Sequence, residues 1–135
     1  MSPRLIMVGP SVEAHGGIAS VAATLLAEPR LGRFNIEYVT TWSDGDAYHR
    51  FSQGVRGLAR LARLAHRNDL VHVHTASRGS FARKAAAVAI ARFRGARVLL
   101  HLHGGEFHRF YGQASRPTQM VVRWVFRTAD AVIVL

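Results

Sequence analysis

The chain has 135 residues and no cysteine, which excludes disulfides and thiolate chemistry and allows a single domain with a core of its own. Eighteen Lys and Arg against eight Asp and Glu give a net charge of +10 with histidine neutral, the sign that suits nucleic acid, an anionic membrane surface or a phosphorylated small substrate. No stretch approaches the ~20 uninterrupted apolar residues of a membrane span, and the N-terminal MSPRLIMVGP lacks the apolar core and cleavage site of a signal peptide, so a cytoplasmic protein, soluble or peripheral at the membrane, is expected.

RLIMVG (Arg4 to Gly9) is a short apolar run closed by a breaker, the form of a strand buried on both faces. After PSVEAHGG, the spacing of Ile18, Val21, Ala22, Leu25 and Leu26 predicts a helix from Ile18 to Glu28, ended by Pro29 and Gly32. FNIEYVTT (Phe34 to Thr41) alternates Phe34, Ile36 and Tyr38 with smaller or polar residues and reads as a second strand near an edge, followed by the loop WSDGDAY.

A helix is predicted from Val55 to His66, with Val55, Leu58, Leu61, Ala62 and Ala65 on its packing side. At about 100° per residue, Arg56, Arg60, Arg63 and Arg67 fall within an arc of roughly 60° on the other side. That stripe is either a solvated outer face or a contact for anionic headgroups. DLVHVHTA (Asp69 to Ala76) is the third strand; SFARKAAAVAIARFRG (Ser80 to Gly95) is a helix with a Ser80 cap and a Gly95 stop. ARVLLHLHGG (Ala96 to Gly105) is the fourth strand. EFHRFYGQASR reads as a polar-aromatic loop, Pro117 opens a helix to about Thr128, and ADAVIVL (Ala129 to Leu135) is the fifth strand. Strands alternating with helices imply an open, mostly parallel, doubly wound α/β sheet of the Rossmann-like kind. Residues 1–135 form one domain, and the apolar last strand suggests the N-terminal part of a longer chain.

GPSVEAHGGIASV leads from a strand through glycines into a helix start, where backbone N–H groups and the helix dipole suit a phosphate. Gly9, Gly16 and Gly17 are too far apart for G-x-G-x-x-G, and no acidic residue ends the second strand to hold a ribose, so dinucleotide binding is disfavoured. G-x-x-x-x-G-K-[ST] is absent as well.

Residues two apart in a strand share a face, so His72 with His74, and His101 with His103, form two same-face pairs on neighbouring strands. Zinc sites favour cysteine mixtures or include a carboxylate among three ligands, and no metal is expected here. His72 and His101 lie inside the strands as hydrogen-bonded core groups. His74 and His103 lie at the carboxyl ends, where ligands of open parallel sheets bind, together with Thr75, Gly104, Gly105 and Glu106. HGGEF resembles the oxyanion loop of lipases, yet no G-x-S-x-G nucleophile elbow accompanies it. The aromatics Phe107, Phe110 and Tyr111 are not set on a strand as in RNA-binding sheets, and nucleic acid is not expected as a partner.

In this order, MVGPSVEAHGGIASV, DLVHVHTA, VLLHLHGGEF and ADAVIVL resemble the N-terminal domain of the family 4 retaining glycosyltransferases of GT-B architecture. The resemblance implies an acceptor-side domain whose nucleotide-sugar donor is held mainly by a second, C-terminal domain, and an isolated 135-residue chain without turnover. It places Gly16 and Gly17 at the donor phosphates and His103 at the reacting sugar as the catalytic candidate. His74 and Thr75, with Gly104 and Glu106, become acceptor- or sugar-binding candidates. It further implies a glycan, lipid-linked or small-molecule acceptor, a role in polysaccharide assembly, and no cofactor or metal. A sugar-nucleotide epimerase of the same architecture, and a non-catalytic adaptor docked on anionic membranes through the arginine stripe, are the alternatives.

Overall fold

A computed structural model describes residues 3–76 and 79–135. The chain builds β1 (Arg4–Pro10), α1 (Gly17–Ala27), a 3-10 turn (Pro29–Arg33), β2 (Asn35–Trp42), α2 (Ala47–Leu64), β3 (Leu70–Thr75), α3 (Gly79–Phe93), β4 (Arg97–Leu102), α4 (Phe107–Gln113), α5 (Arg116–Thr128) and β5 (Ala131–Val134). All neighbouring strands pair in parallel in the order β2-β1-β3-β4-β5. This is the doubly wound α/β sheet expected from the alternation of elements.

The order carries a reversal that positions everything else. From β1 the chain steps outward to β2, then crosses back to β3 on the other side of β1 and keeps going to β5. Right-handed crossovers then force α1 onto one face and the later helices onto the other. The packing agrees: Ile6, Val8, Val71, Val73, Val98 and Leu100 meet α2, α3 and α5 through Leu61, Phe81, Val88, Val122 and Val125 in one core. Alternate residues of the same strands, His72, His74 and His101 among them, point to the opposite face. Because the windings part between β1 and β3, a crevice opens beyond their carboxyl ends.

Two elements differ from the sequence reading. Helix α2 starts at Ala47, not Val55, because Asp46 caps it by accepting from His49 N–H at 2.8 Å. It packs through Gly54, Gly57 and Leu61, leaving Val55 exposed, and Arg67 falls beyond the helix end. The expected polar loop after β4 is helical as α4, since Phe107, Phe110 and Tyr111 share one face and pack against the core. Ser80, expected as the α3 cap, falls inside the helix, which begins at Gly79, and its side chain lies outside the described residues, whereas Gly95 follows α3 with φ of 78°, the left-handed stop anticipated. Ser115 and Pro117 open α5 as cap and first-turn proline. The alternating strand, β2, is indeed an edge, and β5 is the other, exposed along its length.

Candidate functional site

Beyond β1 the chain turns at Gly16, whose φ of 130° is one that side chains rarely adopt. Gly16 brings no capping side chain to α1, and no acidic residue stands in the first turn, so the helix start keeps its positive end unneutralised. A Cβ at Gly16 or Gly17 would meet nothing within 4 Å. The open space is a cavity of about 290 Å³ lined by Gly16, Gly17, Trp42, Ala76, Arg83 and Lys84, with His15 at its rim. His15 donates from its backbone N–H to Asp44 Oδ2 at 3.1 Å, and its Nδ1 lies 2.9 Å from the same oxygen.

The histidines form a continuous group on the α1 face of the sheet. His74 pairs with His101 in the β3–β4 register. His72 Nε2 lies 3.1 Å from His101 Nδ1, and His74 Nδ1 lies 3.0 Å from His103 Nε2. The rings of His101 and His103 stack with centroids 4.1 Å apart. Burial, reinforced by the neighbouring imidazoles, pushes His72 and His103 down to about 4 and His74 lower still; burial also lowers His101. All four are therefore neutral at pH 7.

Neutrality decides the tautomers. His74 Nε2 is buried without a partner, and an orphaned N–H costs more than an orphaned lone pair. The proton of His74 therefore belongs on Nδ1, where it is donated to His103 Nε2. His103 in turn carries its own proton on Nδ1, which has no protein partner among the described residues. A neutral donor at the end of β4 is the outcome.

Nitrogen atoms of His72, His74 and His101 also lie within 4.8 Å of one another. The facing nitrogens of His72 and His101, 3.1 Å apart, hydrogen-bond to each other, so a metal on these three rings would have to displace that contact.

Residues 16–135 match the family model described as Glycosyltransferase Family 4. The chain belongs to glycosyltransferase family 4. No curated protein matches it. Among the residues expected to matter in a family 4 glycosyltransferase, Gly16 and Gly17 line the cavity, and His103 stands at the end of β4 against His74. His74 and Thr75 are completely buried, so neither presents its side chain to solvent. Gly104, with φ of 102°, lines a separate hollow with Phe107, Tyr111 and Leu135, while Glu106 is exposed and paired with Arg109 at 3.2 Å. Arg56 and Arg63 project from α2 into solvent, and Arg60 is bound to Glu37 at 3.1 Å and to the Tyr38 carbonyl at 2.9 Å.

Arg83 and Lys84 belong to the cavity and were not singled out from the sequence. The signal was present: Phe81, Lys84, Ala85, Val88 and Ala91 follow the i, i+3, i+4, i+7 rule on the buried face of α3, and a lone lysine in such a stripe is an exception that calls for a cause.

Proposed function

We propose that this family 4 domain receives the acceptor of a retaining sugar transfer and contributes to holding the leaving diphosphate of a nucleotide-sugar donor. The observation that carries the reading is that the Gly16–Gly17 turn after β1, His74 near the end of β3 and His103 just after β4 all lie at the same, carboxyl edge of the sheet, with β1 and β3 flanking its reversal. Departure of a nucleoside diphosphate concentrates negative charge on the phosphate oxygen. Preorganised N–H groups at the start of α1 stabilise that charge without rearrangement, an effect worth about 10²–10³ in rate per donor in comparable sites.

In this reading His103 donates its Nδ1 proton to the transferred sugar and fixes its orientation, with His74 as the positioning residue behind it. Attack on the face from which the diphosphate leaves lets that phosphate take the acceptor proton, so no protein nucleophile or metal is required. The charge surplus suits a lipid-linked acceptor at an anionic membrane and polysaccharide assembly. Most of the donor would be held by a second domain, as the two-domain architecture of the family implies.

The test is sugar transfer by the natural polypeptide containing this chain, using a panel of nucleotide sugars and lipid-extracted acceptors, beside its His103→Ala variant. Transfer with retained anomeric configuration, lowered about 10²-fold or more in a folded His103→Ala protein, is expected. An inverted product or an undiminished variant overturns the proposal, and an acceptor-independent epimerised nucleotide sugar would identify the epimerase alternative.

A further inference from the structure

We infer that Lys84 and Arg83 form a phosphoryl-binding subsite in the cavity beneath the Gly16–Gly17 turn, gripping a diphosphate or phosphate end of a substrate from within this domain. The inference rests on the proposed function only for what is attached to that phosphate.

Lys84 is only 2% exposed. An ammonium taken out of water is costly unless an opposite charge compensates it. Its one described partner is neutral: Nζ donates to Thr41 Oγ1 at 2.7 Å, and Thr41 Oγ1 already donates to the Gly9 carbonyl at 3.4 Å. Beside it, Arg83 Nε is buried without any hydrogen-bond partner. Among the described residues no carboxylate forms an ion pair with either side chain. Asp44, which meets His15, is held by that residue's backbone N–H and ring.

Packing does not explain this arrangement. A methionine would fill the Lys84 position on the apolar stripe of α3 at no electrostatic cost. What the pair supplies is two adjacent cationic donors on a small open cavity that the uncapped start of α1 also lines. Point-charge ammonium, guanidinium fork and backbone N–H groups together match a tetrahedral, multiply charged oxyanion. The cavity, about 290 Å³, falls near the lower end of small-ligand sites (roughly 300–1,000 Å³), a size for the diphosphate end and not for a whole nucleotide sugar. The neighbouring titratable groups, His15 at the rim and His74 and Arg83 beside Lys84, supply no negative charge. Burial, with Arg83 adding to it, pushes the Lys84 ammonium down to about 7; a bound phosphate would raise it again.

The experiment is calorimetric titration of the 135-residue chain with inorganic pyrophosphate, uridine diphosphate and farnesyl diphosphate, comparing wild type, Lys84→Met and Arg83→Gln. Each variant is expected to weaken pyrophosphate binding by at least about tenfold, while Lys84→Met unfolds at the same or higher urea concentration because a buried charge has gone. Should Lys84→Met fail to fold, Arg83→Gln and an NMR titration of the wild-type Lys84 amine decide the matter, with an upward shift of its titration on adding pyrophosphate expected. Stronger binding of uridine diphosphate assigns the subsite to a nucleotide donor, and stronger binding of farnesyl diphosphate to a lipid-linked acceptor. Wild-type affinity in the folded variants, an unmoved Lys84 titration, or no binding of any of the three probes overturns the inference. Lys84-dependent pyrophosphate binding without sugar transfer by the natural polypeptide would leave the subsite standing and remove the transferase reading alone.

Discussion

His74 and His103 stand 3.0 Å apart, Nδ1 to Nε2, the first sealed inside the sheet and the second at the end of β4. The buried ring has a single polar outlet, and that outlet is the imidazole that closes β4. The state of the inner histidine therefore fixes the tautomer of the outer one, and the same burial that keeps both neutral makes the fold sensitive to acid.

That sensitivity has a definite sign. In the unfolded chain His72 and His103 titrate near 6.5, and in the folded one not until about 4. Between those values the unfolded state binds more protons, so stability falls as pH drops from 6.5 toward 4 and is indifferent to these groups above 6.5. The loss should reach on the order of a few kcal/mol, shared over a coupled set. Urea midpoints measured at pH 7, 6 and 5 should decline steadily, and His72→Phe should flatten the slope. A midpoint constant over this range would show that the cluster is solvated.

Helix α2 approaches β2 closely because of one missing Cβ. At Gly57 a methyl group would lie 2.2 Å from the Thr40 carbonyl oxygen and 3.0 Å from its carbon, both backbone atoms. Gly57→Ala gains ~1 kcal/mol of helix propensity, but the helix must retreat from the sheet, and a net loss of about 2 kcal/mol is expected by urea denaturation. Gly32→Ala, with nothing within 4 Å, should change stability by no more than about 0.5 kcal/mol. Equal effects at the two positions would contradict the close approach.

The entry to β1 depends on Asp69, which is 6% exposed. Its Oδ2 accepts from Arg4 Nη2 at 2.7 Å and from the His66 N–H at 2.8 Å. Arg4 also donates to the Leu64 carbonyl, so the pair ties β1 to the end of α2 and the start of β3. Asp69→Ala strands a partly buried guanidinium and an N–H, and should cost about 2–4 kcal/mol. Asp69→Asn, which still accepts from His66, should lose less. Thermal unfolding of the two variants is the check, and the opposite order would sink the account.

The parts of the fold legible in the sequence are those dictated by local pattern. β1, β3 and β4 are short apolar runs because both sheet faces are buried there, and β2 alternates because it is an edge. The start of α2 was not legible, since Ala47 to Gln53 carries exposed Tyr48 and Phe51 and packs only further along through glycines, which leave no apolar period to read. Phe107, Phe110 and Tyr111 had helical spacing, but polar neighbours obscured a short helix that gains its stability from packing. For the candidate site, the Gly16–Gly17 turn that lines the cavity was reachable from motif position. The union of Arg83 and Lys84 with the Gly16–Gly17 turn depends on the reversal between β1 and β3, a long-range relation that no local spacing encodes.

The arginine stripe of α2 acquires an apolar companion in three dimensions. Tyr48, Phe51 and Val55 are 80%, 72% and 51% exposed and follow one another at i, i+3 and i+7 along the helix. Arg56 and Arg63 flank this ridge in solvent, while Arg60 is partly committed to Glu37. Aromatic rings with adjoining arginines are the composition of a helix lying in a headgroup layer. No helix among the described residues is long and apolar enough to cross a membrane. The chain is therefore expected to sediment with anionic vesicles and to release at high salt, each arginine near the surface adding ~1 kcal/mol. Arg56→Glu with Arg63→Glu should lower the bound fraction by about tenfold or more, and Phe51→Asp should lower it even at low salt, where charge alone would hold the protein. If the arginine reversals weaken binding and Phe51→Asp leaves it untouched, the attraction is diffuse electrostatics and the ridge plays no part; if neither matters, α2 faces water.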